Sequence, residues 1–581
     1  MIDIGEITAL EKFTEASDDI IDAILEEAGK FASDILSPLN VVGDQVGAKL
    51  TEDGVLPAPG FKEAYQAYIN NGWNSICGDV ERGGQGLPLT LAMAVSEMFD
   101  AANMAFSLCP MLTTGAIESI TAHGSEEQKN TYLEKMISGE WGGSMNLTEP
   151  QAGTDVGALT TRAQRMADGT YRIKGQKIFI TWGDHDMAEN IIHLVLARLP
   201  DSPKGTRGIS LFIVPKFLIN EDGSLGARND AHCVALEHKL GIHGSPTCVM
   251  AYGDRDECVG YLLGEENKGI MAMFTMMNNA RLNVGIQGVA CAERAWQKAL
   301  EYAKDRIQGK AIGTTKEGPS AIIDHADVRR MLMSIKSTTE AARAITMLNA
   351  KAIDLGHHHP DADIRAKYKG LADLLTPMSK SYGSDMGVEN ASLAVQIHGG
   401  MGYVEETGIA QIFRDSRINP IYEGTNGIQA MDLVGRKLAM DGGVHWQALL
   451  EEIAEFAQNL PKTDDFSTLE KNLTAAVATT KECAHWMLAQ HNGNLRGSMA
   501  GSVPFQRLFS VTVGAYLMAK GASSARSRLD QGDMDTEFLK AKINTARFYA
   551  EQVVSPTIGL KDSIMAGDEL FYAIEDEYLK M

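Results

Sequence analysis

From about residue 8 to residue 138, apolar positions recur at three- and four-residue spacings, interrupted by turn-rich stretches such as Glu81-Arg82-Gly83-Gly84-Gln85-Gly86. That period predicts a helical domain over 1–140. After Trp141 the pattern changes to short apolar or alternating runs: Tyr171, Ile173, Ile178 and Ile180, then 191–199, 209–214 and 247–252, separated by Gly, Asp, Asn and Pro. These predict the strands of a compact barrel or sandwich over 141–266. Helical spacing returns near Gly269, and Val328, Leu332, Ile335, Thr339, Ala342 and Ile345 step along one helix face. This marks a third, helical unit over 267–440. Asp441-Gly442-Gly443 and Pro461-Lys462-Thr463-Asp464-Asp465 then break the pattern, and 473–488 and 505–525 resume it without Gly-rich loops or clustered ionisable groups. An additional helical domain of structural character is expected over 441–581. The fold class is mainly α with a central β-domain.

Composition narrows the function. The 581 residues carry 53 Lys+Arg against 76 Asp+Glu, a net charge of −23, with 44% hydrophobic and 22% charged residues. Such a chain builds large cores and repels phosphate backbones, so nucleic acid and anionic membrane surfaces are not expected partners. Its apolar runs are far shorter than the roughly 20 residues that span a bilayer, so no membrane insertion is expected. The opening MIDIGEITALEKFTEASDDI lacks a basic or apolar leader pattern, and a cytoplasmic location is expected. Seven scattered Cys read as reduced core thiols, with no metal-ligand spacing among them.

Three loops combine Gly, hydroxyl and amide groups beside apolar runs: 146–155, 396–402 and 421–427. Each is able to present donors to an anion or heterocycle, but on local pattern alone each reads better as a helix cap or tight turn. Neither a P-loop nor a strand-linked G-x-G-x-x-G occurs. Glu423, taken alone, is an ordinary loop carboxylate. No Ser/His/Asp order, His-x-x-x-His pair or Cys cluster competes with it, and no metal site is expected.

The wording and order of these loops nevertheless resemble one family, the acyl-CoA dehydrogenases. Thr148-Glu149-Pro150-Gln151-Ala152-Gly153-Thr154-Asp155 is similar to its first signature. The second is matched by Gln396 through Gly402, followed by Arg414-Asp415 and Ile421-Tyr422-Glu423-Gly424-Thr425. Gly175-Gln176-Lys177-Ile178-Phe179-Ile180-Thr181 and His123-Gly124-Ser125-Glu126-Glu127-Gln128-Lys129 extend the likeness over about residues 63–438. The α, β, α order of domains is also that family's architecture.

The resemblance implies FAD held between the β-domain and the C-terminal helical domain, and α,β-dehydrogenation of an acyl-CoA thioester. It implies Glu423 as the base that takes the α-proton while the β-hydride leaves for flavin N5. The backbone N–H of Glu423 and a ribityl hydroxyl would polarise the thioester carbonyl, and water exclusion would raise the base's proton affinity. Flavin contacts carry over to Leu147, Thr148, Gly153, Phe179, Thr181, Thr425 and Asn426. Arg306, Gln308, Gln396 and Gly400 match positions that grip the FAD of a neighbouring subunit, which implies a homodimer or higher homo-oligomer. Phe179 stands where many members have Trp, and no aromatic precedes Gly309. Substrate contacts carry over to Thr154, Asn278, Arg281, Tyr422 and Gly424. Electron-transferring flavoprotein is the implied electron acceptor.

The added domain, with Gly241-Ile242-His243-Gly244-Ser245-Pro246-Thr247 and Met431-Asp432-Leu433-Val434-Gly435-Arg436-Lys437, resembles a bacterial branch. Its members act on 3-(methylthio)propanoyl-CoA or on fatty acyl-CoA, and the short thioether thioester is the expected substrate. A thioether is close to a methylene in size, so butyryl-CoA should also fit. A pocket floor is expected from 99–111. The alternatives are a medium- or long-chain dehydrogenase, an acyl-CoA oxidase, and a DNA-binding alkylation-response flavoprotein.

Overall fold

The computed structural model describes residues 2–315, 317–491 and 493–580. The chain divides into two compact units, Lys12–Asn283 and Met1–Glu11 with Val284–Met581.

The first unit is led by helix α1 (Leu89–His123), a mainly apolar segment that is buried along much of its length. Its backbone breaks from helical geometry at Asn103 (φ −159°, ψ 84°), and Pro110 lies further along it. The Asn103 side chain accepts from Phe106 N–H and so restarts the helix locally.

An eight-stranded sheet follows: β1 (Trp141–Asn146), β2 (Arg162–Arg165), β3 (Tyr171–Thr181), β4 (Asn190–Arg198), β5 (Ile209–Pro215), β6 (Ala231–Leu236), β7 (Thr247–Tyr252) and β8 (Val259–Leu263). The strand order is β6-β7-β3-β8-β5-β4-β1, and β2 pairs with both β3 and β4. That double pairing closes β3, β8, β5, β4 and β2 into a ring, the barrel solution to an exposed sheet edge. Central strands β4 and β5 are buried on both faces, which is why they read as continuous apolar runs. β3 instead alternates, burying Tyr171, Ile173 and Lys177. Against β7 its register shifts between Lys177 and Ile180, leaving Ile178 and Phe179 opposite one residue. This is a β-bulge.

Helix α2 (Gly269–Asp305) runs across the limit between the units. In the second unit it is followed by α3 (Ala326–His358) and α4 (Ala362–His398). A Cβ on Gly285 or Gly288 would meet Ser379 O at 2.7 Å or Gly383 O at 2.1 Å. Only glycines permit this approach of α2 to α4, since any side chain would hold the backbones apart. Beyond the turn at Asp441-Gly442-Gly443, with φ of 51°, 72° and 83°, come α5 (Asp464–His491) and α6 (Ser502–Asp530). They share one continuous core with the earlier helices, from Ile286 and Ile345 through Leu433 and Trp446 to Phe509 and Tyr549. Among the described residues, no helix is long and apolar enough to cross a membrane. All seven cysteines are free; Cys77 is exposed and Cys233 half-buried, unlike the core thiols expected, whereas the other five are buried.

Candidate active site

In the first unit the bulge in β3 gathers one set of expected site residues. Ile178 N–H turns away from the sheet ladder and donates to Thr148 O at 2.9 Å. Its neighbour Phe179 takes a left-handed φ of 58° and is 58% exposed. A bulky aromatic in that backbone region is strained by about 1–2 kcal/mol, and an exposed strained ring fits a site that a planar cofactor covers. Thr181, half-buried, ends the strand beside it.

Leu147 and Thr148 are fixed from below by an ion pair that sequence reasoning missed. Lys177 Nζ lies 2.8 Å from Glu149 Oε1, with side chains 0% and 2% exposed. The same ammonium donates to Leu147 O at 2.9 Å. The Glu149 carboxylate accepts from six donors: Lys177 Nζ, Gln151 Nε2, and the N–H and hydroxyl of both Thr160 and Thr161. Burial pushes this carboxyl up, but Lys177 and the hydrogen bonds prevail and hold it at about 2. Burial draws Lys177 down to about 8 while Glu149 opposes it. The partners' shifts pull in opposite senses, and the six donors decide for the charged pair at neutral pH. One signal was legible: Lys177 shares the inward parity of Tyr171 and Ile173, and an inward lysine needs a partner.

Gly153 and Thr154 are exposed, and nothing lies within 4 Å of a Cβ built on Gly153. Arg281 is 7% exposed on α2, donates to Asn278 Oδ1 at 3.4 Å and lies 5.8 Å over the Phe274 ring. Asn278 itself is exposed.

In the second unit the loop before the short helix Asn426–Asp432 carries the candidate base. Glu423 has a φ of 55° and Gly424 of 83°, two successive left-handed residues. Such strain persists only where the surroundings impose it. Tyr422 O–H donates to Gln287 Oε1 on α2 and to Asn419 Oδ1. Thr425 caps the following helix by accepting from Ile428 N–H at 3.3 Å. Asn426 is anchored to α4: its Oδ1 accepts from Lys380 Nζ at 2.8 Å and Ser384 Oγ at 3.2 Å, and its Nδ2 donates to Asp385 Oδ1 at 2.6 Å. Lys380 is fully buried. The Asn426 side chain, expected at the flavin, is therefore occupied in bracing the loop. Sequence reasoning gave no role to Lys380, Asp385 or Gln287.

Arg306, Gln308, Gln396 and Gly400 are all exposed. Tyr302 and His398 stack at 4.4 Å between ring centroids, joining the C-terminal ends of α2 and α4. The stack thereby collects these four residues at one end of the helix pair. Arg306 Nη2 donates to Gln308 Oε1 at 3.3 Å.

Family profiles for the N-terminal, middle and C-terminal domains of acyl-CoA dehydrogenase match residues 22–140, 144–254 and 267–438. A profile described as acetyl-CoA dehydrogenase C-terminal like matches 449–575. The chain belongs to the acyl-CoA dehydrogenases, FAD-dependent oxidoreductases. It is 46% identical over 550 residues to 3-methylmercaptopropionyl-CoA dehydrogenase of Ruegeria pomeroyi, covering 94% of this chain and 93% of that one. It is 37% identical to a butyryl-CoA dehydrogenase of Syntrophomonas wolfei, covering 98% of this chain and 95% of the relative. An acyl-CoA dehydrogenase from Bacillus anthracis, solved with FAD, shares the fold at a TM-score of 0.76 and 21% identity, over 97% of this chain and 90% of that one.

Proposed function

We propose that this enzyme oxidises a short-chain acyl-CoA, 3-(methylthio)propanoyl-CoA before others, to its 2-enoyl thioester, with Glu423 as the base. The observation that carries the reading is the braced left-handed turn at Glu423-Gly424. A carboxylate on such a turn keeps one position, so the approach to an α-C–H is organised in advance. The backbone N–H of Glu423 donates to the thioester carbonyl and raises the acidity of that C–H. Tyr422, held by Gln287, walls the thioester end beside Gly424. Arg281 and Asn278, with Thr154, bind the CoA portion.

Leu147, Thr148, Gly153, Phe179 and Thr181 hold the flavin of FAD, and Thr425 and Asn426 serve it through the turn they shape. Bound FAD supplies the acceptor for the β-hydride. Arg306, Gln308, Gln396 and Gly400 serve the FAD of a second copy, so the working enzyme is at least a homodimer. Electron-transferring flavoprotein takes the electrons onward. The thioether substrate is supported by the 46% identical relative named for the same acyl group, and butyryl-CoA by the 37% identical one.

Two measurements test this. Glu423→Gln keeps the shape and cannot take the proton, so the variant should retain FAD and lose nearly all turnover; retention of most turnover rejects Glu423. Anaerobic titration of the wild type should bleach the flavin with 3-(methylthio)propanoyl-CoA and butyryl-CoA well before octanoyl-CoA. A preference for octanoyl-CoA would reassign the substrate to longer fatty acids.

A further inference from the structure

Within the first unit, two hollows lie back to back. The inner one, about 120 Å³, is lined by α1 residues Phe99, Ser107, Pro110 and Met111 among others. The outer one, about 450 Å³, is a cleft lined by residues including Ile24, Phe31 and Asn71. Trp73 and Ile76 line both. The Trp73 ring stands 5.3 Å from Phe99, on the inner side, and 6.1 Å from Phe31, on the outer side. Its indole is thus part of the wall between a small cavity and a larger one, together with Ile76 and with Phe31 and Phe99, whose own rings stand 5.4 Å apart. Trp73 sits on a single 3-10 turn, Trp73–Ser75, entered through Gly72 at φ 75°. Its buried indole N–H has no hydrogen-bond partner, so packing alone sets the ring's position.

The inner volume has a chemical meaning. A cavity of roughly 150 Å³ holds a benzene molecule, so about 120 Å³ holds around five non-hydrogen atoms. Beyond its thioester carbonyl, a 3-(methylthio)propanoyl group consists of two carbons, a sulfur and a methyl. An octanoyl tail is nearly twice as long and does not fit.

We propose that the inner cavity takes the acyl tail and that Trp73 sets the length limit, by closing this cavity against the outer cleft. This rests on the acyl-CoA dehydrogenase reading above and specifies its substrate class as short, uncharged acyl groups. Removing the indole takes the largest side chain out of this wall and gives longer tails a path past Phe31 and Phe99.

The experiment compares kcat/KM for butyryl-, 3-(methylthio)propanoyl-, octanoyl- and decanoyl-CoA in FAD-loaded wild type, Trp73→Ala and Trp73→Phe. In Trp73→Ala, the octanoyl-to-butyryl ratio should rise by about tenfold or more, mainly through a lower KM for octanoyl-CoA. Trp73→Phe keeps a ring in the partition and should stay within a few-fold of wild type. An unchanged ratio in a folded, flavin-loaded Trp73→Ala overturns the proposal. If Trp73→Ala does not fold, Ile76→Ala thins the same wall and must shift the ratio in the same direction, or the proposal fails. The two readings fail separately. A wild type that no thioester bleaches defeats the proposed function, whereas a wild type active on short chains with an unshifted ratio in the variants defeats only the role of Trp73.

Discussion

Lys177 and Glu149 form an ion pair at 2.8 Å with both side chains out of contact with solvent, and the backbone of Leu147 hangs on the same ammonium. Two buried charges are tolerated only as a matched set, because removing one leaves the other uncompensated. Glu149→Gln should therefore destabilise the enzyme by about 3–5 kcal/mol and loosen FAD. The double variant Glu149→Gln/Lys177→Met should recover part of that stability. Urea unfolding of the three proteins, with flavin release followed in parallel, measures both effects; a loss below about 1 kcal/mol for Glu149→Gln contradicts the pairing. The carboxyl sits at about 2 against 4.5 unfolded. Its stabilisation is complete above 4.5 and disappears as pH falls through 2.

Glu118 carries the opposite sign. It lines the inner cavity, Asn279 Nδ2 donates to it at 2.7 Å, and burial pushes its carboxyl up to about 8 from 4.5. Between those values the unfolded chain releases a proton that the folded chain keeps, so stability falls as pH rises from 4.5 to 8 and then levels. Glu118→Gln removes that slope. Its melting temperature relative to wild type should climb across this window and stay constant above it. A difference independent of pH would show that Glu118 titrates normally.

Much of this was legible beforehand, for a physical reason in each case. The runs at 209–214 and 247–252 match β5 and β7 because buried strands of a sheet are written as short apolar blocks. The bulge was concealed because the apolar Ile178 and Ile180 stand on the parity opposite to Tyr171 and Ile173, whereas burial follows Ile173, Lys177 and Ile180 and so changes parity only after Lys177. Its only sequence trace is that change of parity. The clasp on Glu149 was not legible, since Thr160, Thr161 and Lys177 come from positions brought beside it only when β2 and β3 pair. Likewise, helical spacing after residue 441 shows that a face is apolar. It does not show that Phe509 and Tyr549 join the core of Ile345.

Asn426 tests the bracing of the loop that carries Glu423. Lys380, Ser384 and Asp385 all converge on its amide, and burial raises the Asp385 carboxyl while Asn426 draws it down. Asn426→Ala removes this anchor three residues after Glu423. A shift of about 1 Å in a reacting group costs on the order of 100-fold in rate. The expected result is a kcat lowered by about that factor, with FAD content and KM changed little. Parallel loss of FAD would instead make Asn426 a cofactor ligand.

Phe179 offers a test in which stability and binding move in opposite directions. The residue is 58% exposed and its φ is 58°, so in the cofactor-free protein the side chain adds little burial and the backbone carries strain. Glycine has no Cβ to oppose that conformation. Phe179→Gly should therefore leave the apoprotein as stable as wild type or more stable, by up to about 1 kcal/mol. Stacking of an aromatic on a planar ring contributes about 0.5–1.5 kcal/mol beyond area, so the same variant should bind FAD up to about tenfold more weakly. Thermal unfolding of the apoprotein and FAD titration by fluorescence quenching read the two quantities separately. A destabilised apoprotein with unchanged FAD affinity would mean that the ring serves the fold and that the bulge does not present it to the flavin.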